Sequence, residues 1–150
     1  MLGSAQRHEL GKVFYDASAE ARRLGDRRVG TEHMTLALLM DPESPTAKAL
    51  GVSLEDARKA LQTLDFAALS AVGIDAVDPG PATPARERIR LTPGARDVVA
   101  GIHKGKWPRP LTGSHVLVGL LARHSPDPAA DLLDALGIDR AAVHAQLLAT

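Results

Sequence analysis

The chain contains the same helical pattern twice, and this duplication constrains its fold more than any other feature. Residues 30–33 have the sequence Gly-Thr-Glu-His; an apolar run follows at 34–40, and then Ala-Lys-Ala-Leu-Gly-Val at 47–52. Residues 113–115 have the sequence Gly-Ser-His; a second apolar run follows, and then Leu-Gly-Ile at 136–138. The two copies lie about 82 to 86 positions apart. A repeated helical unit is typical of tandem scaffolds, which place function in surfaces and grooves.

Within each copy the apolar residues recur at helical spacing. The first helix is predicted from Leu10 to Leu24, leaving Glu20, Arg22 and Arg23 on its solvent side and ending at Gly25. Further helix starts are predicted from capping residues and from proline at a first helical position. These starts are Thr31, Thr46, Ser53, Thr92-Pro93, Pro128 and Asp139.

No segment shows convincing alternation with a period of two, and aromatic residues make up only 3% of the chain. The sequence therefore predicts an all-α fold with an aliphatic core. We expect one domain over residues 1–150, with about eight helices in two pseudo-symmetric four-helix repeats that pack as one bundle. Repeat one covers about 9–73, a proline-rich connection about 75–90, and repeat two about 91–149.

Composition excludes several classes of function. Eighteen basic and eighteen acidic residues give no net charge, which disfavours a general nucleic-acid partner. The chain has no cysteine, no apolar run long enough for a membrane span and no apolar leader. We therefore expect a cytoplasmic protein without a membrane or nucleic-acid partner. One basic region, 86–109, leaves a small helical DNA-binding regulator as the alternative.

The sequence shows no pattern for a reaction centre. The six histidines lack metal-binding spacing, and no G-x-S-x-G motif is present. His33 and His115 occupy equivalent helix starts, so we expect each to cap or pack its own copy. Trp107 is expected to clamp its loop onto the core, with binding of a partner as the alternative. We predict no catalytic residue, metal or cofactor; a small hydrolase would need a buried acid–base pair that the sequence does not show.

Glu32 is the polar residue with the clearest functional alternative. At a helix N-terminus its carboxylate can act as a local cap. The same carboxylate can grip a guanidinium while neighbouring backbone N–H groups accept an anion, a pairing that suits a phosphorylated arginine.

Several of these stretches resemble the amino-terminal repeat domain of the Clp ATPases, closest to the ClpC branch. In repeat one they are Arg-Leu-Gly at 23–25, Val-Gly-Thr-Glu-His at 29–33 and Ala-Lys-Ala-Leu at 47–50. In repeat two, Leu-Thr-Pro-Gly-Ala-Arg at 91–96 is similar to the opening of that domain's second repeat. The resemblance covers about residues 9–148. It implies docking of substrates and adaptors for an unfoldase, recognition of arginine-phosphorylated proteins and, for some members, binding of cyclic-peptide antibiotics.

The resemblance implies a ligand-binding set in this chain: Val29, Thr31, Glu32, Thr92 and Ser114. Ser114 stands where the family has a glutamate, and Gln6-Arg7 stand where it has Phe-Thr. The first repeat is therefore expected to carry the better site. The ATPase modules that follow this domain in the family are absent from the 150 residues. We expect a stand-alone monomeric binding module that delivers ligands to a Clp ATPase or protease, or sequesters them.

Overall fold

The computed structural model describes residues 2–74, 89–105, 107 and 110–149, with side chains from residue 10 onward. Within these ranges the chain is all-α, as predicted, with eight helices and two short strands. In chain order the elements are α1 (Leu2–Arg23), β1 (Arg28–Val29), α2 (Thr31–Ala37), α3 (Pro45–Leu50), α4 (Leu54–Ala71), β2 (Arg90–Leu91), α5 (Pro93–Lys104), α6 (Gly113–Leu121), α7 (Pro128–Ala135) and α8 (Arg140–Leu148). Residues 75–88 of the proline-rich connection lie outside the described residues, as do Arg86, Arg88, Lys106 and Arg109 of the basic region.

Most helix ends follow the local signals in the sequence. The hydroxyl of Ser53 accepts the Asp56 N–H at 3.0 Å, and that of Thr92 accepts the Ala95 N–H at 3.2 Å. α3 and α7 each begin with proline behind a capping side chain. The first glycine after each of these two helices, Gly51 and Gly137, has a φ of 68° and 69°, respectively, where a residue with a Cβ would be strained. Thr31 is one residue too late to be a cap, because Gly30 occupies the cap position of α2.

The helices of the two halves interlock. α1 packs on α2 as α5 packs on α6, and the contacts of α2 with α7 and of α3 with α8 have counterparts in α6 with α3 and α7 with α4. Each contact between halves thus occurs twice with the roles exchanged, which is the pattern of a pseudo-twofold axis. Apart from Val29 of β1, the largest fully buried aliphatic side chains come from α2, α6 and α7: Met34, Leu36, Val116, Leu117, Leu120, Leu132 and Leu133.

A short parallel pairing of β1 with β2 adds a link that the sequence did not predict. Arg28 pairs with Arg90 and Val29 with Leu91, and the Thr92 N–H donates to the Val29 carbonyl at 2.9 Å. Two residues are too few to show the alternation that marks a strand. The pairing holds the start of α5 beside the start of α2, although they are about sixty positions apart in sequence.

Glu20 contradicts the expectation that it faces solvent: it is only 1% exposed. Nε and Nη2 of Arg23 donate to one of its carboxylate oxygens at 3.2 and 3.1 Å, and Arg58 of α4 contacts the other oxygen. A buried carboxylate needs such partners, since desolvating an unpaired charge costs several kcal/mol. The second arginine lies 38 positions away in sequence, so the spacing within α1 could not reveal it.

We predict that Glu20→Ala lowers the free energy of unfolding by about 2–3 kcal/mol, since it leaves the half-buried Arg58 and the exposed Arg23 without their shared anion. Urea denaturation followed by circular dichroism measures this loss. Glu55→Ala is the control: the Glu55–Lys59 ion pair is exposed, and its removal should cost about 0.5 kcal/mol or less. Equal losses in the two variants would contradict a structural role for Glu20.

Two further findings concern the described residues as a whole. No helix among them combines the length and the apolar character that crossing a membrane requires. The same residues contain no group of three or more histidine or acidic side chains arranged to hold a metal ion.

Candidate functional site

A histidine fixes the start of α2. The Gly30 N–H donates to Nδ1 of His33 at 2.9 Å, and Nε2 of the same ring lies 2.9 Å from Asp26 Oδ2. Because Nδ1 is the acceptor, Nε2 carries the proton and donates to Asp26. Both ring nitrogens are therefore committed within the fold.

His115 does the same for α6, where the Thr112 N–H donates to its Nδ1 at 2.9 Å. The predicted capping role of the two histidines is thus confirmed in both copies. The His115 ring also meets Trp107 edge to face, with ring centres 5.2 Å apart. Trp107 packs on this capping ring and remains 37% exposed.

Thr31 ties the two repeats together. Its buried hydroxyl donates to Asp127 Oδ1 at 2.8 Å and accepts the Ala129 N–H at 3.2 Å, both at the start of α7. Nε of Arg123 binds the other oxygen of Asp127 at 3.0 Å. The Thr31 hydroxyl therefore borders the candidate site, but its hydrogen-bonding capacity is used by the fold.

We predict that Thr31→Val destabilises the protein by about 1–3 kcal/mol, because the Ala129 N–H and Asp127 lose a buried partner. Thr31→Ser keeps the hydroxyl and should cost about 1 kcal/mol or less. Chemical denaturation of both variants checks the order. A valine variant as stable as the serine variant would show that the hydroxyl contributes nothing.

Glu32 folds back over the start of its own helix. Its side chain is 17% exposed, and a Cβ added at Gly30 would overlap its carboxylate. Glu32 Oε1 is 3.2 Å from Nδ1 of His33. Nδ1 already accepts the Gly30 N–H, so two acceptors face each other and this contact is not a hydrogen bond. Among the described residues, Glu32 forms no ion pair with a lysine or an arginine.

An acidic groove of about 630 Å³ opens beside Glu32. Its walls are Asp26, Arg27, Arg28, Glu32, His33, Leu61, Asp65, Ala68, Leu69 and Thr92. Burial of the Glu32 carboxyl raises its pKa above the ordinary value of 4.5, and the negative charges of Asp26 and Asp65 act in the same direction. The interaction with the neighbouring His33 ring and the backbone N–H of Glu32 oppose this shift. The pKa of Asp65 is also raised, by desolvation and then by Asp26. The groove thus gathers three carboxylates beside the exposed Arg27 and Arg28, and its partly buried Glu32 would gain from a cation.

A second groove, of about 350 Å³, lies on the other side of Glu32. We call it the junction groove because the starts of α2, α5 and α7 meet there; its walls are Gly30, Thr31, Glu32, Thr92, Gly94, Arg123, His124, Pro126, Asp127 and Pro128. Helix starts present positive dipole ends, and the Arg123 guanidinium lies in the wall beside its partner Asp127. The junction groove thus combines helix dipole ends with one arginine and two carboxylates, whereas the acidic groove holds three carboxylates and two arginines.

The structure brings four of the five predicted ligand-binding residues together. Glu32 and Thr92 line both grooves, Thr31 lines the junction groove, and buried Val29 accepts the Thr92 N–H. Ser114 lies at the start of α6 and lines neither groove. The side chains of Gln6 and Arg7 lie outside the described residues.

Among the charged residues of these grooves that sequence reasoning missed are Asp26, Asp65 and Arg123. For Asp26 a local signal existed, since it precedes the capping histidine by seven residues and bonds to it. Asp65 and Arg123 reach the site only through the packing of α4 and α6, which the sequence does not reveal.

The raised pKa of Glu32 gives a test that depends on pH. A carboxyl with a raised folded-state pKa contributes stability that is fully present below its unfolded pKa, and this contribution is lost as pH rises through the folded value. We therefore predict that Glu32→Gln is more stable than the parent at pH 7, by roughly 1 kcal/mol or less. The gain should vanish below about pH 4. Thermal unfolding across this pH range measures it, and a loss of stability at pH 7 would contradict the assignment.

The interlocked repeats and the paired grooves define an all-α tandem-repeat domain with two neighbouring surface grooves that share Glu32 and Thr92. The chain belongs to the family of the Clp repeat (R) N-terminal domain, whose family model matches residues 7–101. It is 31% identical over 140 residues to the chloroplastic chaperone protein ClpC2 of Oryza sativa subsp. japonica. That match covers 91% of this chain but 14% of the length of the chaperone.

A solved structure shares the fold. It is the N-terminal domain of the caseinolytic protease-associated chaperone ClpD from Arabidopsis thaliana, with a TM-score of 0.66. The similarity covers 92% of this chain and 91% of that one at 18% sequence identity. The resemblance to Clp N-terminal domains read from the sequence is therefore confirmed.

Proposed function

We propose that this protein is a non-catalytic docking module for protein segments in a Clp system. Its ligands are substrates, adaptors or arginine-phosphorylated proteins, which it presents to a Clp ATPase or protease or withholds from it. Membership in the Clp N-terminal family supports the general role. The position of the Glu32 carboxylate between the acidic groove and the junction groove supports the specific ligand.

The two grooves match the two charges of a phosphorylated arginine. A guanidinium beside Glu32 would receive a bidentate pair and relieve the repulsion among Glu32, Asp26 and Asp65. The attached phosphoryl group would then face the junction groove, where three helix starts converge and Arg123 supplies a cation. A ligand that carries only the guanidinium, or only the phosphoryl group, would occupy one of the two grooves.

The geometry around His33 supports a role without catalysis. A general base needs a ring nitrogen with a free lone pair, and Nδ1 of His33 already accepts the Gly30 N–H. The Thr31 hydroxyl donates to Asp127 and is not activated by a base. The DNA-binding alternative stays a prediction, since much of its basic region lies outside the described residues. Its steep weakening with rising salt would identify it.

The proposal predicts a single phosphoarginine site that depends on Glu32. Isothermal titration with a peptide carrying one phosphoarginine should show one site per chain, which Glu32→Ala abolishes. Ser114→Ala should change the affinity little, because Ser114 lines neither groove. The same peptide without phosphate is the ligand control, and cyclic-peptide antibiotics can be added as competitors.

Gly30→Ala provides a matched control that keeps the charge. The Gly30 backbone, with φ −101° and ψ 176°, is accessible to alanine, but the new Cβ would push the Glu32 carboxylate out of its place. We expect this variant to fold and to bind phosphoarginine more weakly. Two equivalent sites, or undiminished binding to the Glu32→Ala variant, would refute the proposal.

A further inference from the structure

The second half of α4 carries an unusual number of exposed apolar side chains. In the part of the chain that the structure describes, seven large hydrophobic residues are exposed, and four of them lie between positions 66 and 74. They are Phe66, Leu69, Val72 and Ile74, with Phe66 54% and Val72 70% exposed. Contiguous apolar surface of this kind on a folded domain commonly marks an interaction site.

Phe66 and Leu69 line a groove in the surface. The α4 groove has a volume of about 370 Å³, and its walls are Arg23, Leu24, Asp26, Glu55, Arg58, Lys59, Leu61, Gln62, Asp65, Phe66 and Leu69. It shares four of these residues with the acidic groove: Asp26, Leu61, Asp65 and Leu69. The two grooves are therefore neighbours along one helix, one with an apolar lining and the other with carboxylates.

The charges around the α4 groove are distributed unevenly. Its three cations already have partners in the fold, since Arg23 and Arg58 bind Glu20 and Lys59 binds Glu55. Asp26 and Asp65 lie on the wall shared with the acidic groove, whose other charged or titratable residues are Glu32, His33 and the exposed Arg27 and Arg28. The α4 groove thus has a negative end toward Glu32 and an apolar end toward Phe66.

We propose that the α4 groove and the acidic groove together bind one extended polypeptide segment, with an arginine at the acidic end and a leucine or phenylalanine at the apolar end. The wall shared by the two grooves runs along α4 from Leu61 to Leu69, over which the helix rises roughly 12 Å, and an extended peptide spans that length with about four residues. This inference rests on the proposed function and adds to it the sequence class of the docked segment. The apolar residue lies within about four positions of the arginine.

A second molecule of this chain fits the surface less well. A twofold contact centred on Phe66 would bring the same patch of both molecules together. Asp65, one position from Phe66, would then approach its own equivalent, and the three cations of the α4 groove are engaged by Glu20 and Glu55. Charge complementarity therefore favours a segment that brings its own cation.

The test uses two peptides of about ten residues in a Gly-Ser background, each with one phosphoarginine. One has leucine about three positions after the phosphoarginine, and the other has serine there. Fluorescence anisotropy should show that the parent protein binds the leucine peptide about five- to tenfold more tightly. Phe66→Ser should remove this preference and leave the affinity for the serine peptide unchanged, whereas Glu32→Ala should weaken both.

Leu148→Ser is the matched control, because Leu148 is an exposed apolar residue at the end of α8, 68% exposed, and should not affect either peptide. Equal binding of both peptides by the parent protein would overturn this inference and leave the proposed function standing. Binding of neither peptide would overturn both. Sedimentation equilibrium should show a monomer, and a dimer that Phe66→Ser dissociates would assign the surface to a second molecule instead.

Discussion

The hydrogen bond from the Gly30 N–H to Nδ1 of His33 sets the geometry on which the site depends. It defines where α2 begins and turns the opposite ring nitrogen toward Asp26, which lines the acidic groove. It also places Thr31 where its hydroxyl reaches Asp127 of the other repeat. The equivalent bond from Thr112 to His115 builds the same start for α6, but the residue before that histidine is serine rather than glutamate. The two repeats therefore share the same helix start, but only the first has a carboxylate there.

The carboxylates of Glu20 and Glu32 have opposite environments in this fold. Glu20 is almost fully enclosed, and Arg23 and Arg58 compensate its charge. Glu32 is partly enclosed, its pKa is raised by desolvation, and no arginine or lysine in the described part of the chain pairs with it. A carboxylate kept in this state disfavours folding at neutral pH, and such groups concentrate at functional sites. The cation that Glu32 lacks is the one that we propose the ligand supplies.

Features that depend on residues close together in the sequence were predicted, whereas features that depend on contacts between distant residues were not. Ser53, Gly51 and Asp139 act on their own helix ends, so their roles were predicted correctly. Glu20 was placed on the wrong side of α1 because Arg58, one of its partners, is on another helix. The pattern around Glu32 indicated a ligand site, but Asp65 and Arg123 join it only through tertiary packing. The pairing of β1 with β2 was too short to leave any periodic signal.

The α4 groove exists because α4 is longer than the corresponding helix of repeat two. α4 has eighteen residues, whereas its counterpart α8 has nine. The buried residues of α4, Ala57 and Leu61, are in its first half, where the helix packs against the body as α8 does. The second half continues past that packing and carries its apolar stripe into solvent. Repeat one therefore holds both the unpaired carboxylate and the apolar surface beside it, while repeat two has a serine and a shorter helix at the equivalent places. The differences between the halves of this pseudo-symmetric scaffold therefore coincide at one pair of grooves, which is why we propose that binding occurs on one side only.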